Sequence, residues 1–341
     1  MAIALLASAA FFTPSELSAK SLVIAGSGGI AQDAIDKAYD EPFTKDTGIT
    51  IEAVEPWGLA KLRAIVESGR AEWDATELDG PALILATKAG YLEPIDWSVA
   101  DPKNILPAVA KRPFAFVPSV YSTVMAYRTD KFPKAPSSWV DFWDVAKFPG
   151  GRALQNTPQL NLEFALIADG VPKADVYKVL ATPEGIDRAF AKLTKLKPSI
   201  VKWWSAGAEP PQMLSSGEVA MSTAWNGRIT NMKKEGRPVA IIWNGSAMNL
   251  TYFSIVKGTK SKREVEQYFA SYLSPARAAA YAKLVPYPGF VPDIEKHLDA
   301  SILVDLPTAP ANVAQQFEMN DDFWAAHLPA LTERWNGWLL E

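Results

Sequence analysis

The chain has 341 residues, with 34 Lys and Arg against 38 Asp and Glu, a net charge of −4, 48% hydrophobic residues, 12 Trp and no Cys. Its length exceeds one ordinary domain and predicts two, each able to bury a proper core. The apolar content excludes a disordered chain, the scattered basic residues argue against nucleic acid, and the absence of cysteine removes disulfides, thiolate chemistry and a cysteine-linked lipid anchor.

The run from Met1 to Phe12 is apolar but too short to span a bilayer, and it suits the core of an export signal. Cleavage near Ala19 is expected to release a soluble periplasmic chain, with residues 1–19 as the signal peptide. Ser21-Leu22-Val23-Ile24-Ala25 reads as a buried parallel strand that runs into Gly26-Ser27-Gly28-Gly29. A helix over 32–46, stopped by Gly48, and a strand at Ile49-Thr50-Ile51-Glu52-Ala53-Val54 complete a βαβ unit. A helix from Lys61 to Ser68 stopped by Gly69, a strand over 73–78 and a helix from Pro81 to Ala89 extend the alternation, which predicts an α/β sheet.

Between Pro94 and Pro118 proline density rises and periodicity fades, which predicts a crossover between domains before a strand at Tyr121–Tyr127. A second α/β unit follows, with helices at 160–169, 183–196 and 209–216 and strands near 219–224 and 239–243. Tyr252-Phe253-Ser254-Ile255-Val256 reads as a separate strand, and 262–273 and 276–284 as helices. A chain that leaves one α/β lobe, builds a second and returns leaves a cleft suited to a small molecule.

Gly26-Ser27-Gly28-Gly29-Ile30-Ala31 satisfies G-x-G-x-x-A, with Glu52 about twenty residues on, a formal dinucleotide fingerprint. Two readings follow: an NAD-dependent oxidoreductase, or a glycine turn at a cleft edge where Ser27, Gly28 and Gly29 let a ligand approach the backbone. No G-x-S-x-G is present, His297 and His327 are the two histidines, and neither lies in H-E-x-x-H. The sequence therefore calls for no catalytic set, no metal and no cofactor. Asp321-Asp322 lacks a calcium loop around it and suits a helix N-terminus.

Several tryptophans lie beside glycine and small polar residues: Trp57, Trp203, Trp204, Trp225 and Trp243. Each is a core residue or a stacking wall; an indole offers a face to alkyl chains and ammonium groups. Asp79 or Glu209 is a candidate for an amine, and Arg228 for a carboxylate.

At Phe43-Thr44-Lys45-Asp46-Thr47-Gly48-Ile49 the chain resembles the spermidine/putrescine-type periplasmic binding proteins of ABC importers. Ser138-Trp139-Val140-Asp141-Phe142-Trp143 before Gly150-Gly151-Arg152 is similar to a family phrase, as are Gly217-Glu218-Val219, Trp225-Asn226-Gly227 and Tyr287-Pro288. The resemblance spans about residue 20 to the C-terminus and implies the type II periplasmic-binding fold: two α/β lobes that close over a ligand and make or break no bond. It implies lobe 1 over 20–125 and 253–305, and lobe 2 over 126–252 and 306–341. Trp225 and Tyr287 are the family's pocket residues kept here; Asn226, Tyr121 and Ser122 are further candidates for ligand contact.

Two departures from the family stand out. Asn156-Thr157-Pro158-Gln159-Leu160 and Asn249-Leu250-Thr251 stand where carboxylates are expected, so Thr157, Asn249 and Thr251 offer neutral contacts. A polycation would lose charge-assisted hydrogen bonds worth about 1.5–3 kcal/mol each. The resemblance thus implies a ligand with at most one amine, a 4-aminobutyrate-like amino acid or an opine-type conjugate, ranked above a polyamine. It also implies permease subunits of an importer as partners and a monomeric receptor.

Overall fold

The computed structural model describes residues 20–26 and 28–341; the expected export segment and Ser27 lie outside the described residues. The strands are β1 (Ser21–Ala25), β2 (Thr50–Val54), β3 (Ala75–Leu78), β4 (Leu92–Glu93) and β5 (Lys111–Arg112). They continue as β6 (Ala115–Arg128), β7 (Arg152–Gln155), β8 (Ile200–Trp204), β9 (Met221–Trp225), β10 (Val239–Val256) and β11 (Phe317–Glu318). They form one sheet whose main path runs β2-β1-β3-β10-β6-β9-β7-β8.

The first unit follows its sequence signals closely. β1 buries Leu22, Ile24 and Ala25 and pairs in parallel with β2 and β3. The helical stretch after it runs in three pieces, Gly29–Ile35, Asp36–Asp40 and Glu41–Thr47, and stops at Gly48. Gly48 takes φ 77° and its N–H reaches Thr44 O at 2.8 Å, a left-handed cap that suits glycine. The helix Pro183–Leu196 shows the same local logic. Thr182 caps it by accepting from Gly185 N–H, proline opens its first turn, and Ala189, Phe190, Leu193 and Leu196 form its buried stripe.

The separate strands expected at 239–243 and 252–256 are one strand, β10, of 18 residues. It runs antiparallel to the 14-residue β6, from Val239 opposite Arg128 to Phe253 opposite Phe116. Asn244-Gly245 looks like a turn in sequence, but here it sits in a bulge between Ile242 and Ala247. Gly245 has φ 75°, its carbonyl accepts from Trp139 Nε1 at 2.8 Å, and a Cβ on it would come 2.8 Å from Trp139 Cδ1. Backbone freedom and close indole packing both require glycine there.

The buried side chains fall on either side of this strand pair. One cluster joins Leu22, Ile65, Leu83, Val120, Tyr252 and Phe269. Another joins Met125, Trp139, Phe164, Leu193, Trp324 and Trp335, with a third around Trp204, Leu214, Ile229 and Met232. Among the described residues no helix is long and apolar enough to cross a membrane.

Glu163 is fully buried within the second cluster. Its Oε1 accepts from Tyr177 Oη at 2.8 Å and from Trp324 Nε1 at 2.7 Å, while Oε2 has no hydrogen-bond partner. Burial pushes its pKa up to about 7 against the hydrogen bonds of Tyr177 and Trp324, which hold it down. A carboxyl with a raised folded-state pKa destabilises the fold as pH climbs from its unfolded value through about 7. Melting temperatures of wild type and Glu163→Gln between pH 5 and 8 are expected to diverge, wild type falling further, by about 1–3 kcal/mol of stability.

Candidate functional site

A cavity of about 480 Å³ opens where the lobes meet. Its floor is the crossing strand pair, which contributes Pro118, Ser119 and Tyr121 from β6 and Leu250, Thr251 and Phe253 from β10. On the lobe-1 side stand Gly28, Ala31, Ile35, Trp57, Glu77, Leu78, Asp79, Tyr272 and Tyr281. On the lobe-2 side stand Gln155, Trp225 and Arg228, and Tyr287 closes the gap between them.

The aromatic wall is a linked set. Tyr121 meets Trp225 and Tyr287 edge-on, both at 6.0 Å between ring centroids, and Trp225 meets Trp204 at 5.8 Å. Such edge contacts hold ring planes as well as burying area. Gly207 packs so closely on the Trp225 ring that an added Cβ would lie 2.3 Å from Cζ3.

Asn226 anchors the seam behind this wall. It is fully buried, its Oδ1 accepts from Ser122 N–H at 2.8 Å, and its Nδ2 donates to Pro286 O at 3.4 Å. It therefore ties β6, the start of the helix Asn226–Lys234 and the segment carrying Tyr287. Ser119 Oγ donates to Tyr287 O at 2.9 Å, which fixes that segment from the other side. The Tyr287 ring lies over Gly227, where a Cβ would approach its hydroxyl to 2.9 Å. That hydroxyl is buried without a formed hydrogen bond, and burial raises its pKa while Arg228 and the Gly227 and Arg228 amides oppose the shift.

Charge is divided between the walls. Asp79 ends the segment after β3 and caps the helix Gly80–Lys88, its Oδ1 accepting from Ala82 N–H at 2.8 Å. Its carboxylate reaches the water of the cavity, yet the protein mass around it raises its pKa against that hydrogen bond. Glu77, two residues earlier, lines the same wall. Arg228 stands opposite, in the first turn of the helix Asn226–Lys234. Among the described residues no ion pair holds Arg228, so its guanidinium is available to an anion.

Of the residues expected at the site, Gly28, Trp57, Asp79, Tyr121, Trp225, Thr251 and Tyr287 line the cavity. Ser122, Asn226 and Asn249 are buried just behind it; Asn249 Nδ2 donates to Thr123 Oγ1 at 3.2 Å. Gly29 and Thr157 lie outside the lining. Trp204 is a core residue whose Nε1 donates to Thr223 Oγ1 at 3.0 Å, so it backs Trp225 rather than facing the cavity. Trp203 packs edge-on against Trp335 and Trp338 at 5.2 and 5.6 Å and lies outside the cavity lining. Glu209 is held by its own helix start, accepting from Ser205 and Ala206 N–H and pairing with Lys202 at 3.3 Å.

The dinucleotide reading gives way to Glu55. Its carboxylate occupies the space at Gly28, where a Cβ would come 1.6 Å from Oε1, and a pyrophosphate on this turn would meet that negative charge. Glu52 is exposed on β2 and outside the cavity lining. The sequence reading missed Glu77, Gln155, Ser119, Tyr272 and Tyr281. Glu77 was within reach, since residues two apart in an extended segment share a face and Asp79 was already singled out. The two tyrosines are reached only through tertiary packing.

Gly207→Ala is expected to force the Trp225 indole aside and lower stability by about 1–3 kcal/mol, read as a fall in the denaturant midpoint.

Comparisons with known proteins agree with this architecture. The bacterial extracellular solute-binding protein family matches residues 38–310. The chain is 40% identical over 331 residues to the gamma-aminobutyric acid-binding protein of Pseudomonas aeruginosa, covering 96% of this chain and 94% of that protein. It superposes on the Atu4243-GABA receptor with a TM-score of 0.85 at 32% identity, covering 94% of this chain and 97% of the other. It superposes on the PBP MotA from A. tumefaciens B6, solved in complex with glucopine, with a TM-score of 0.82 at 32% identity, covering 93% and 99%. The fold is that of a two-lobed periplasmic binding protein with its ligand cleft between the lobes, and the role is that of the substrate-binding component of an ABC importer. The chain belongs to the bacterial extracellular solute-binding protein family.

Proposed function

We propose that the cleft captures a zwitterionic ω-amino acid of the 4-aminobutyrate class and delivers it to the permease subunits of an importer. The observation that carries this reading is the opposition of charge across the cavity: Glu77 and Asp79 on one wall, Arg228 on the other. A ligand with an ammonium at one end and a carboxylate at the other satisfies both walls and draws them together. Asp79, with Glu77 beside it, takes the ammonium. Arg228 and the unpartnered hydroxyl of Tyr287 take the carboxylate, and Trp225, Tyr121 and Trp57 cover the methylene chain.

A diamine or polyamine meets Arg228 with like charge at its far end, which costs affinity at close range in a partly desolvated site. The relation to a gamma-aminobutyric acid-binding protein, closer in identity than that to a spermidine/putrescine-binding protein at 24%, supports the same ordering. A second reading has its own support. The 480 Å³ cavity holds more than a seven-atom ligand needs, and a neighbour of this fold was solved with glucopine, so an opine-type conjugate is the alternative.

In this reading the protein works in the periplasm as a monomer, with lobe 1 over 20–125 and 253–305 and lobe 2 over 126–252 and 306–341 as the closing units. Binding and release are the whole cycle, with no bond made or broken.

Calorimetry with 4-aminobutyrate, putrescine and an opine is expected to rank 4-aminobutyrate first. Arg228→Ala and Asp79→Asn are each expected to weaken it about 10- to 100-fold, the worth of one charge-assisted hydrogen bond. Tighter binding of putrescine than of any amino acid would contradict the assignment. An opine as the tightest ligand would move it to the second reading.

A further inference from the structure

The residue after Asp79 faces a different space. Gly80 lines a second cavity of about 330 Å³, together with Lys88, Arg112, Tyr252, Asp321 and Asp322. Asp321 is the first residue of the helix Asp321–Leu340, which buries Phe323, Trp324, Leu331 and Trp335 in the lobe-2 core. Helix Gly80–Lys88 places Leu83 and Ala86 in the lobe-1 core. The contact between Gly80 and Asp321 therefore joins the two lobes.

That contact is close enough to dictate glycine. A Cβ on Gly80 would lie 1.8 Å from Asp321 Cγ and 2.0 and 2.1 Å from its carboxylate oxygens. Tyr252 Oη donates to Asp321 Oδ2 at 3.0 Å. Tyr252 sits on β10 between Thr251 and Phe253, both of which line the main cavity. One strand thus presents the floor of the ligand site and the partner of Asp321, and one helix start is flanked by Asp79 from the cleft and by Asp321 from the other lobe.

We propose that Asp321 is a positioning residue for the ligand's ammonium group, acting from lobe 2 on Asp79 across Gly80 and tying the strength of that anchor to the seating of the lobes. The proposal rests on the reading that Asp79 receives the amine. Burial pushes the Asp321 pKa up to about 6; Glu318 and Asp79 add to the shift, while Tyr252 and Arg112 oppose it. Lys88 and Asp322 complete the charged groups around the second cavity. An ammonium arriving at Asp79 cancels the charge that helps keep a proton on Asp321. The proton is then released to solvent, and affinity rises with pH through the same window by linkage.

Calorimetry of 4-aminobutyrate binding between pH 5.5 and 7.5, in buffers of different ionisation heat, reads both effects. Wild type is expected to release a fraction of a proton and to gain about threefold or more in affinity across the window. Asp321→Asn is expected to fold, bind and show a shallower profile, keeping only the part due to Asp79 itself, and Tyr252→Phe to move the midpoint upward. Parallel profiles for wild type and Asp321→Asn would overturn the proposal. A second measurement is independent of the ligand: ¹³C-carboxyl NMR titration of the unliganded protein is expected to show a lower Asp321 midpoint in Asp79→Asn. An unmoved midpoint would also overturn the proposal, whereas a moved midpoint with no 4-aminobutyrate binding would fault the ligand assignment alone.

Discussion

The antiparallel ladder between β6 and β10 is the constraint on which the rest of the molecule depends. From Val239 opposite Arg128 to Phe253 opposite Phe116, two strands pass through both lobes as one hydrogen-bonded unit. Because the same two strands belong to each lobe, the lobes cannot separate without breaking the ladder, and their relative motion is confined to bending and twisting along it. Backbone pairing of this kind resists stretching far more than it resists twist, and the register shifts near Gly245 and Thr251 are where it departs from regular pairing. The ligand cavity lies on this shared floor, so whatever bridges the walls acts directly on the strand pair that joins them.

Charge across that floor gives the cleft its chemistry. The carboxylates stand at the end of β3 and the guanidinium at the start of the helix after β9, two strands of the one sheet separated by β10 and β6. Asp79 is fixed by capping a helix and Arg228 by lying in a first helical turn behind the buried Asn226. Opposed in this way, the two walls present complementary charge to the two ends of a zwitterion. The aromatic set of Tyr121, Trp225 and Tyr287 supplies an apolar middle of the right kind for a methylene chain. Asp321 extends the argument to the rear of the lobe-1 wall, where a lobe-2 carboxylate rests on Gly80.

Local signals carried much of the fold in the sequence. The Gly48 and Gly69 stops, the Thr182-Pro183 helix start and the apolar run of β1 are each decided by neighbours a few residues away, and each was readable there. The length of β10 was not, because Asn244-Gly245 looks like a hairpin turn until Trp139 and β6 are present to receive it as a bulge. The site divides along the same line. Trp225 and Tyr287 stood out through the Trp-Asn-Gly and Tyr-Pro phrases shared with a known family, and Asp79 as a free-standing acid after an apolar strand; all three line the cavity. Trp203 and Trp204 are neighbours in a strand whose alternation sends one to a tryptophan cluster and the other to the core, and only tertiary packing tells these from a cavity wall. Tyr272 and Tyr281 reach the cavity from helices whose faces read as ordinary core.

The central claim is that the ligand is held by its two charged ends on opposite lobes. Its most direct test is a crystal structure of the protein with 4-aminobutyrate bound. The account expects the ammonium within hydrogen-bond distance of Asp79 or Glu77, the carboxylate on Arg228 and Tyr287, and the methylenes against Trp225. A ligand whose carboxylate lies away from Arg228, or whose ammonium lies away from both Asp79 and Glu77, would contradict it.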